Sequence, residues 1–370
     1  MYLFIGTSFL FTLIVIELFF LSKIKRKKLP WKEIITNINS GHIMVWLFRG
    51  IILFTYKYIS TNYSLDNFEK IPIQLQWIIV VFAWDFCFYW SHRFHHNINL
   101  LWKIHHTHHQ PEHFNLSLGI RNSWFQPLSS FPFFSTLAFL GVPLEQFIVV
   151  SGIHYFIQFF NHNALIIDSG FLEKILMTPS HHRVHHAKNE EYLGKNMGGT
   201  FIIWDKFFGT FQKERNDIKI KYGTVDNINP NNPFLANLAP ILNSILRIEK
   251  FNKKRNKLID IKDYYTISGS FFLFLLFLIY INYEQVWSFE SLAPLFAIVF
   301  TGTTALGSIS NGRKLGLVAW LLLAIPVTIL YILLLNIRDP YLLIVLLAVI
   351  IHGIIGFTKL IKSKSPFIKV

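Results

Sequence analysis

The chain has 370 residues, of which 52% are hydrophobic and 15% are charged, and its formal net charge is +14. Its single cysteine, Cys87, excludes an intrachain disulfide and a thiolate metal cluster. The positive charge could attract nucleic acid or anionic lipid headgroups. Because the basic residues lie beside long apolar segments, lipid is the favoured partner and no nucleic acid is expected.

Nine apolar segments approach the roughly 20 residues that a helix needs to cross a bilayer. They are residues 2–21, 43–59, 75–90, 125–140, 142–160, 268–283, 292–308, 315–335 and 341–357. The first is too long, and too poor in a small-residue cleavage site, for a signal peptide, so we expect a retained anchor. The fourth and fifth should form a helical hairpin that bends near Gly141. The sequence therefore predicts an all-α, polytopic integral membrane protein.

Four regions follow from this pattern. They are N-terminal membrane anchor spans in 1–75, a histidine-rich region in 76–212, a polar and basic linker or surface helix in 213–266, and a C-terminal module of several spans in 267–370. Within the third region, residues 227–233 are typical of a turn-rich loop and 247–257 of a basic helix at the lipid surface. This region could cover a site or simply connect two modules. The C-terminal spans contain almost no ionisable residues, which favours a structural or oligomerisation role.

Twelve of the sixteen histidines fall into two short stretches, 92–113 and 181–186. Neutral imidazole is the commonest metal ligand among side chains, and side chains three or four residues apart meet on one helix face. Eight histidines have this spacing: His92, His96, His105, His108, His109, His182, His185 and His186. One zinc-type site uses three or four ligands, so the spacing favours a helical site for two metals. All-imidazole ligands suit iron, zinc, copper or nickel, so they leave the metal open.

The remaining histidines have other expected roles. His95, His106 and His181 lie outside the helical spacing, so they should support the ligands or face solvent. The isolated residues are expected to be hydrogen-bonded core or interface side chains: His42, His154 and His352.

A metal-bound imidazole usually donates its other N–H to a carboxylate, a carbonyl or water. The polar residues that could support the ligands are Asp85, Glu112, Asn115 and Asp205. Asp85 could equally be a span-end carboxylate that faces water or an arginine. Asn115 and Arg121 could position a polar lipid headgroup or cofactor, or make ordinary loop hydrogen bonds.

Short loops rich in Lys and Arg stay in the cytoplasm. Residues 23–28 follow the first apolar segment directly, so the N-terminus should lie outside. Following the nine segments then places the basic stretches 23–28, 311–314 and 359–369, and all the histidine clusters, on the cytoplasmic face. A metal site just below the bilayer could receive an alkyl tail directly from the lipid. Ionisable residues near membrane spans are costly without such a function.

Four motifs follow one another between residues 80 and 212. They are Asp85-x3-Tyr89-Trp90-Ser-His92-Arg-Phe-His95-His96, Leu101-Trp102-x2-His105-x2-His108-His109, Pro179-Ser-His181-His182-Arg-Val-His185-His186 and Asn196-x-Gly198-Gly199-Thr-x3-Trp204-Asp205. Together they resemble the fatty acid hydroxylase and sterol desaturase superfamily, which implies that residues 76–212 form a catalytic domain of that type. Within it, the chain looks most like the branch that cleaves alkylglycerol ether lipids. That narrower resemblance is carried by residues 115–121, by Gln158-x3-His162 and by the additional C-terminal spans.

The resemblance implies a membrane-bound non-heme di-iron monooxygenase that uses O2 to hydroxylate a C–H bond of a membrane lipid. It implies two Fe ions held by the eight spaced histidines and by His162, with no catalytic residue beyond these ligands. A buried, hydrogen-bonded histidine is the alternative for His162. The ether-lipid branch implies cleavage to an aldehyde and a glycerol derivative, with electrons from tetrahydrobiopterin. No pterin motif, cytochrome b5 or reductase domain is recognisable, so a diffusible or separate-protein electron donor is expected.

One departure weakens the narrower resemblance, since Asn97 stands where the ether-lipid branch generally has a glutamate. A hydroxylase or desaturase of fatty acyl, ornithine-lipid, sphingoid, carotenoid or sterol substrates therefore stays open. A metal-dependent membrane hydrolase is disfavoured because no motif has a glutamate between its histidines, as in His-Glu-x-x-His. A metal transporter needs polar groups along the interior of several spans. It is disfavoured because the histidine clusters are expected at one membrane face. Assembly as a homo-oligomer is left open.

Overall fold

The computed structural model describes residues 2–65, 67–224, 231–246 and 261–363. Within these ranges the regular structure is helical, apart from an isolated antiparallel bridge between Leu176 and Phe201. The α-helices are α1 Tyr2–Phe19, α2 Trp31–Leu47, α3 Arg49–Asn62, α4 Ile73–Asn97, α5 Asn99–His109, α6 Gln126–Phe139, α7 Leu144–Phe160, α8 Pro179–His185, α9 Ile203–Phe207, α10 Pro233–Leu246, α11 Asp263–Tyr283, α12 Phe289–Ser310, α13 Lys314–Leu322, α14 Thr328–Leu334 and α15 Pro340–Ser363.

Six helical stretches among the described residues are long and apolar enough to cross a membrane. They are Leu3–Ile24, Ile73–Asn97, Asp263–Tyr283, Phe289–Ser310, Lys314–Leu334 and Pro340–Thr358. The predicted all-α, multi-pass membrane architecture is therefore confirmed. The expected spans at 125–140 and 142–160 become α6 and α7, with 14 and 17 residues. At 1.5 Å per residue they are about 21 and 26 Å long, shorter than the roughly 30 Å hydrocarbon core.

The hairpin between α6 and α7 bends where the sequence predicted. Gly141 has a positive φ of 84°, and a side chain there would meet the Leu65 carbonyl oxygen. The Val142 N–H donates to the Leu137 carbonyl across the bend. Buried residues of α3, α4, α6 and α7 form one hydrophobic cluster around Tyr56 and Trp84.

The prediction of a single span over residues 43–59 is wrong. α2 ends at Leu47 and α3 begins at Arg49, because Phe48 between them is non-helical, with φ −131° and ψ 1°. The two helices have different partners. The Asn37 amide on α2 donates to the Ser117 hydroxyl, whereas the Tyr56 hydroxyl on α3 donates to the carbonyl of Val142. The helix is therefore interrupted at Phe48, which an apolar pattern alone does not show.

The C-terminal helices pack into a second hydrophobic cluster that also includes α1 and α2. His352 is buried in it and accepts a hydrogen bond from Trp320 Nε1 at 3.1 Å, while its carbonyl accepts one from the Tyr265 hydroxyl. The expectation of a hydrogen-bonded core residue is thus confirmed for His352, and likewise for His154, whose Nδ1 lies 3.0 Å from the Thr200 hydroxyl. The side chain of His42 lies outside the described residues.

Part of the region 213–266 lies directly on the histidine-bearing segment. α10 packs against α5, where the Thr107 hydroxyl donates to the Ala236 carbonyl at 3.0 Å. α10 therefore contacts the histidine-bearing helix, whereas the covering role of the region stays a prediction. The expected basic helix at 247–257 lies outside the described residues, as do most of the 227–233 loop and residues 364–369 of the basic tail.

Candidate metal centre

Four segments bring the spaced histidines together. α4 begins after Pro72 and runs for 25 residues, so its last two turns carry His92 and His96. Ile98 is extended, with φ −97° and ψ 118°, and lies between two asparagines, which are poor helix formers. The chain therefore turns, and α5 packs back against α4. α8 supplies the third motif, and His162 follows the end of α7.

Five histidines form the first group. His92, His96, His105, His109 and His185 each offer one ring nitrogen, and these atoms all lie within 4.8 Å of one another. His92 Nδ1 is 2.9 Å from the Met197 carbonyl oxygen, and His185 Nδ1 is 3.1 Å from that of Lys195. A carbonyl only accepts, so both rings carry their proton on Nδ1 and point an unprotonated Nε2 inward.

Four histidines form the second group: His108, His162, His182 and His186. His108 Nδ1 donates to the Arg121 carbonyl at 2.8 Å, and His162 Nδ1 donates to the Gln158 carbonyl at 2.8 Å. The Nε2 atoms of His162, His182 and His186 lie 3.0 to 3.1 Å apart in a triangle. The ring nitrogens of this group also lie within 4.8 Å of one another.

Both groups fit a metal ion. Two nitrogens bound at right angles to one metal at about 2.1 Å are separated by about 3.0 Å, the spacing of the triangle. His92 Nε2 and His105 Nε2 in the other group are 3.1 Å apart. The Nε2 atoms of His96, His109 and His185 are buried and have no hydrogen-bond partner among the described residues. Buried, unpaired ring nitrogens are costly unless a cation binds them.

The two groups lie against each other. The ring centroids of His109 and His186 are 4.4 Å apart, and those of His108 and His186 are 4.6 Å apart. Adjacent residues of a helix point about 100° apart, so His108 and His109 reach different groups from the same turn of α5. This arrangement fits a centre of two neighbouring metals.

Burial keeps these imidazoles neutral. Burial lowers the pKa of His108 to about 4 and that of His185 to about 3. It also lowers the pKa values of His162 and His182 well below the usual 6.5. Neutral imidazole is the form that binds a metal, so these side chains need not lose a proton at neutral pH.

Asp85 and Asp205, the predicted supporting carboxylates, fix the segment between α8 and α9. Asp85 accepts the Thr200 N–H at 2.7 Å and the Trp204 Nε1–H at 2.9 Å. Asp205 accepts the N–H groups of Met197 and Gly198 at 2.6 and 2.7 Å. The Gly198 N–H and the Met197 carbonyl belong to the same peptide unit, and that carbonyl accepts a hydrogen bond from His92. Asp205 is therefore connected to a histidine of the first group through this one peptide unit.

The other supporting candidates lie at the edge of the site. Asn115 Oδ1 accepts the Ser117 N–H at 3.0 Å and so caps the short 3₁₀ helix Leu116–Ile120. Glu112 is exposed, and so is Asn97 at the end of α4. The buried guanidinium of Arg121 donates to the Thr107 carbonyl and to Asn37 Oδ1, which are structural contacts.

His95, His106 and His181 are not exposed to solvent. Their exposed fractions are 0%, 0% and 1%. His95 Nε2 lies 2.8 Å from the Ser129 hydroxyl, and the Gln110 amide donates to His106 Nδ1 at 3.2 Å. These contacts support the helices that carry the two groups, and the solvent-facing alternative is wrong.

The partners that orient the ligand rings could not be predicted from the sequence. Four of them are carbonyl oxygens, of Met197, Lys195, Arg121 and Gln158, and no side-chain pattern could reveal them. Gln126 was also missed, although its Oε1 lies 3.4 Å from His105 Nδ1. A polar residue at the start of the apolar α6 was the available signal.

The family comparison agrees with the motif-based resemblance. Residues 77–210 match the family model described as fatty acid hydroxylase. This range contains all nine histidines of the two groups. The resemblance to this class of membrane proteins is therefore confirmed for the histidine-bearing region.

Individual proteins similar to this chain carry narrower names than the family model. Alkylglycerol monooxygenase from Homo sapiens is 39% identical over 233 residues, covering 62% of this chain and 51% of the relative. The protein of the same name from Xenopus tropicalis is 36% identical over 234 residues, with the same two shares. Ornithine lipid hydroxylase OlsE from Rhizobium tropici is 28% identical over 201 residues, covering 52% of this chain and 57% of the relative. The chain spans about half the length of these relatives. No solved structure matches it.

Proposed function

We propose that this protein is a membrane-bound non-heme di-iron monooxygenase that uses O2 to hydroxylate a C–H bond of a membrane lipid. The observation that carries the proposal is the convergence of nine histidines in two adjoining groups. The match of residues 77–210 to the fatty acid hydroxylase family and the similarity to alkylglycerol monooxygenases support it. Iron bound in the two groups would supply O2 activation for the insertion of one oxygen atom.

We assign one iron to the five-histidine group and the other to the four-histidine group. The chain's own contribution is to fix the protonation and direction of each ring. Carbonyl oxygens hold the Nδ1–H of His92, His185, His108 and His162, which leaves Nε2 free for the metal. Burial of these rings keeps water away, and the position of His92 and His96 at the end of the α4 span brings lipid close.

The favoured substrate is an alkylglycerol ether lipid, with tetrahydrobiopterin as the electron donor. Two relatives that carry the name alkylglycerol monooxygenase support this choice. Hydroxylation of the carbon next to the ether oxygen gives a hemiacetal, which separates into an aldehyde and a glycerol derivative. Tetrahydrobiopterin would supply two electrons, and the second oxygen atom of O2 would leave as water.

A second candidate is hydroxylation of another polar lipid without ether cleavage. The similarity to ornithine lipid hydroxylase OlsE favours it, as does Asn97 at the position that is generally a glutamate in the ether-lipid branch. Asn97 is exposed at the end of α4 and belongs to neither histidine group. The difference at Asn97 therefore bears on the substrate and leaves the metal assignment unchanged.

The centre is proposed to face the cytoplasm. The basic residues 23–28 lie at the end of the first helical stretch, Leu3–Ile24, and such segments stay on the cytoplasmic side. Glu17, close to that end of α1, accepts the N–H groups of Leu116 and Ala164 beside the four-histidine group. These contacts support a location of the basic end of α1 and the histidines at the same membrane face.

The deciding experiment combines metal analysis with a lipid assay on detergent-purified protein. Mass spectrometry should find about two irons per chain. On admission of O2, an alkylglycerol with tetrahydrobiopterin should release an aldehyde, whereas an ornithine lipid and a fatty acid serve as alternative substrates. Two irons with turnover of the ornithine lipid alone would favour the second candidate. One stoichiometric zinc in an active protein would refute the di-iron proposal.

A matched pair of neighbouring histidines controls this experiment. His182 belongs to the four-histidine group, whereas His181 belongs to neither group and contacts Thr178 and Phe211. His182→Ala should lose iron and turnover. His181→Ala should keep both irons, so an equal loss in the two variants would contradict the assignment.

A further inference from the structure

Glu17 is a buried carboxylate inside the first candidate membrane span, Leu3–Ile24. Its side chain is 1% exposed. A carboxylate at such a position is costly unless hydrogen bonds satisfy it, so intramembrane acidic residues commonly have a function. α1 also becomes a π-helix at Phe20–Ile24, one turn after Glu17, and such turns occur frequently at functional sites.

Both oxygens of this carboxylate are used by distant parts of the chain. Oε2 accepts the Leu116 N–H at 2.6 Å, and Oε1 accepts the Ala164 N–H at 2.7 Å. Hydrogen bonds from backbone N–H groups to a carboxylate are among the strong ones. Glu17 therefore ties together two loops that are separated by almost fifty residues.

Each loop positions a member of the four-histidine group. Leu116 begins the 3₁₀ helix that leads to Arg121, whose carbonyl accepts from His108 Nδ1. In that helix, a Cβ at Gly119 would lie 3.0 Å from His162 Nδ1, so the 3₁₀ backbone packs directly on the ring. Ala164 follows His162 by two residues. Neither loop carries a histidine of the five-histidine group.

We propose that Glu17 is a positioning residue for the four-histidine group, so that α1 is part of the metal centre as well as a membrane anchor. α1 lies outside residues 77–210, which match the family model. The inference rests on the proposed function, because it requires the four-histidine group to bind a metal. It predicts that a change at Glu17 weakens metal binding in one group and spares the other.

Glu33 on α2 provides an internal comparison. Its two oxygens accept the N–H groups of Glu112 and His113 at 2.8 and 3.0 Å. These residues follow α5, which supplies His108 to one group and His105 and His109 to the other. A change at Glu33 should therefore weaken both groups, unlike a change at Glu17.

The test is a Co²⁺ titration of the metal-free, full-length protein in detergent, followed by visible absorption and mass spectrometry. The wild type should bind two Co²⁺ per chain. Glutamine offers one acceptor oxygen and an NH2 group that faces the second N–H, so Glu17→Gln should weaken one Co²⁺ site about 10- to 100-fold. Glu33→Gln should weaken both. Glu284→Gln, which breaks only the ion pair with Arg49, should change neither.

The affected site is identified by two background variants. In His182→Ala the five-histidine group remains, and addition of Glu17→Gln should have no effect on Co²⁺ affinity. In His96→Ala the four-histidine group remains, and the same addition should weaken binding. If Glu17→Gln does not fold, Glu17→Asp retains both acceptor oxygens and should weaken the same site by a smaller factor.

Each outcome has a distinct meaning. Equal weakening of both sites in Glu17→Gln or Glu17→Asp, or no weakening of either, would overturn the positioning role while the metal assignment stands. A wild-type protein that binds no Co²⁺ at all would overturn the proposed function, and the positioning role with it. Selective loss in the four-histidine group would support the role of α1.

Discussion

Asp205→Asn is the sharpest test of how the five-histidine group is oriented. Asp205 is fully buried and accepts from the N–H groups of Met197 and Gly198 and from the Thr210 hydroxyl, at 2.6 to 2.7 Å. The Met197 carbonyl in turn holds His92 Nδ1 at 2.9 Å. Asparagine keeps one acceptor oxygen and places an NH2 group against one of the N–H donors. The peptide unit at Met197 should therefore lose its fixed position.

The expected magnitude follows from one lost hydrogen bond to a charged group. Such a bond contributes about 1.5–3 kcal/mol, and its loss leaves a buried N–H unpaired. We expect Asp205→Asn to lower the free energy of unfolding by about 2–3 kcal/mol. Loss of an orienting contact typically costs about 10- to 100-fold in metal affinity, which should appear in the five-histidine group.

The assay is thermal unfolding together with Co²⁺ titration of the detergent-solubilised protein. Asp217→Asn removes the same charge from a side chain that is 65% exposed, so it should leave both measurements unchanged. If Asp205→Asn lowers the melting temperature but keeps wild-type Co²⁺ affinity at both sites, the proposed link from Asp205 to His92 is refuted.

Three further predictions concern individual rings and protons. His108→Ala and His109→Ala should each weaken one of the two Co²⁺ sites, but in different groups, as Co²⁺ titration in the two variants would show. Gly119→Ala should weaken the four-histidine group because its Cβ would crowd His162 Nδ1 at 3.0 Å; Gly152→Ala, which meets nothing within 4 Å, should leave Co²⁺ binding unchanged. Acidification from about pH 6.5 to 4 should destabilise the metal-free protein by about 3 kcal/mol for His108 alone, because burial lowers its folded pKa to about 4 and the unfolded chain binds the proton first. Thermal melts across this range would measure the slope, and a flat profile would contradict it.

The sequence was sufficient to predict which histidines come together. Their spacing of three and four residues places them on helix faces, and the structure assembles all eight with His162. The spacing could not predict how the nine histidines divide between the two groups. His108 and His109 belong to the same motif, yet the turn of the helix sends them to different groups. That division depends on where α7 and α8 approach α5, which is a long-range property of the fold.

The apolar pattern predicted the membrane architecture but not the route of the chain through its N-terminal part. Hydrophobic residues continue through 43–59, whereas the helix breaks at Phe48. The two helices on either side of the break have different partners, Ser117 for α2 and Val142 for α3. Glu17 likewise lies within an apolar stretch that suggested only an anchor. Its partners, Leu116 and Ala164, contribute backbone groups, which have no signature in the side-chain sequence.

The carbonyl oxygens that hold the ligand rings have a consequence for how this centre can change. A point mutation can delete a carboxylate, but it cannot delete the carbonyl of Met197, Lys195, Arg121 or Gln158. Substitutions at these four positions can alter ring orientation only by shifting the path of the main chain. The ring contacts should therefore survive side-chain variation where the main chain keeps its path, as at the partly exposed Lys195. The vulnerable points should be the residues that pin the loops in place, among them Arg121 with its buried guanidinium.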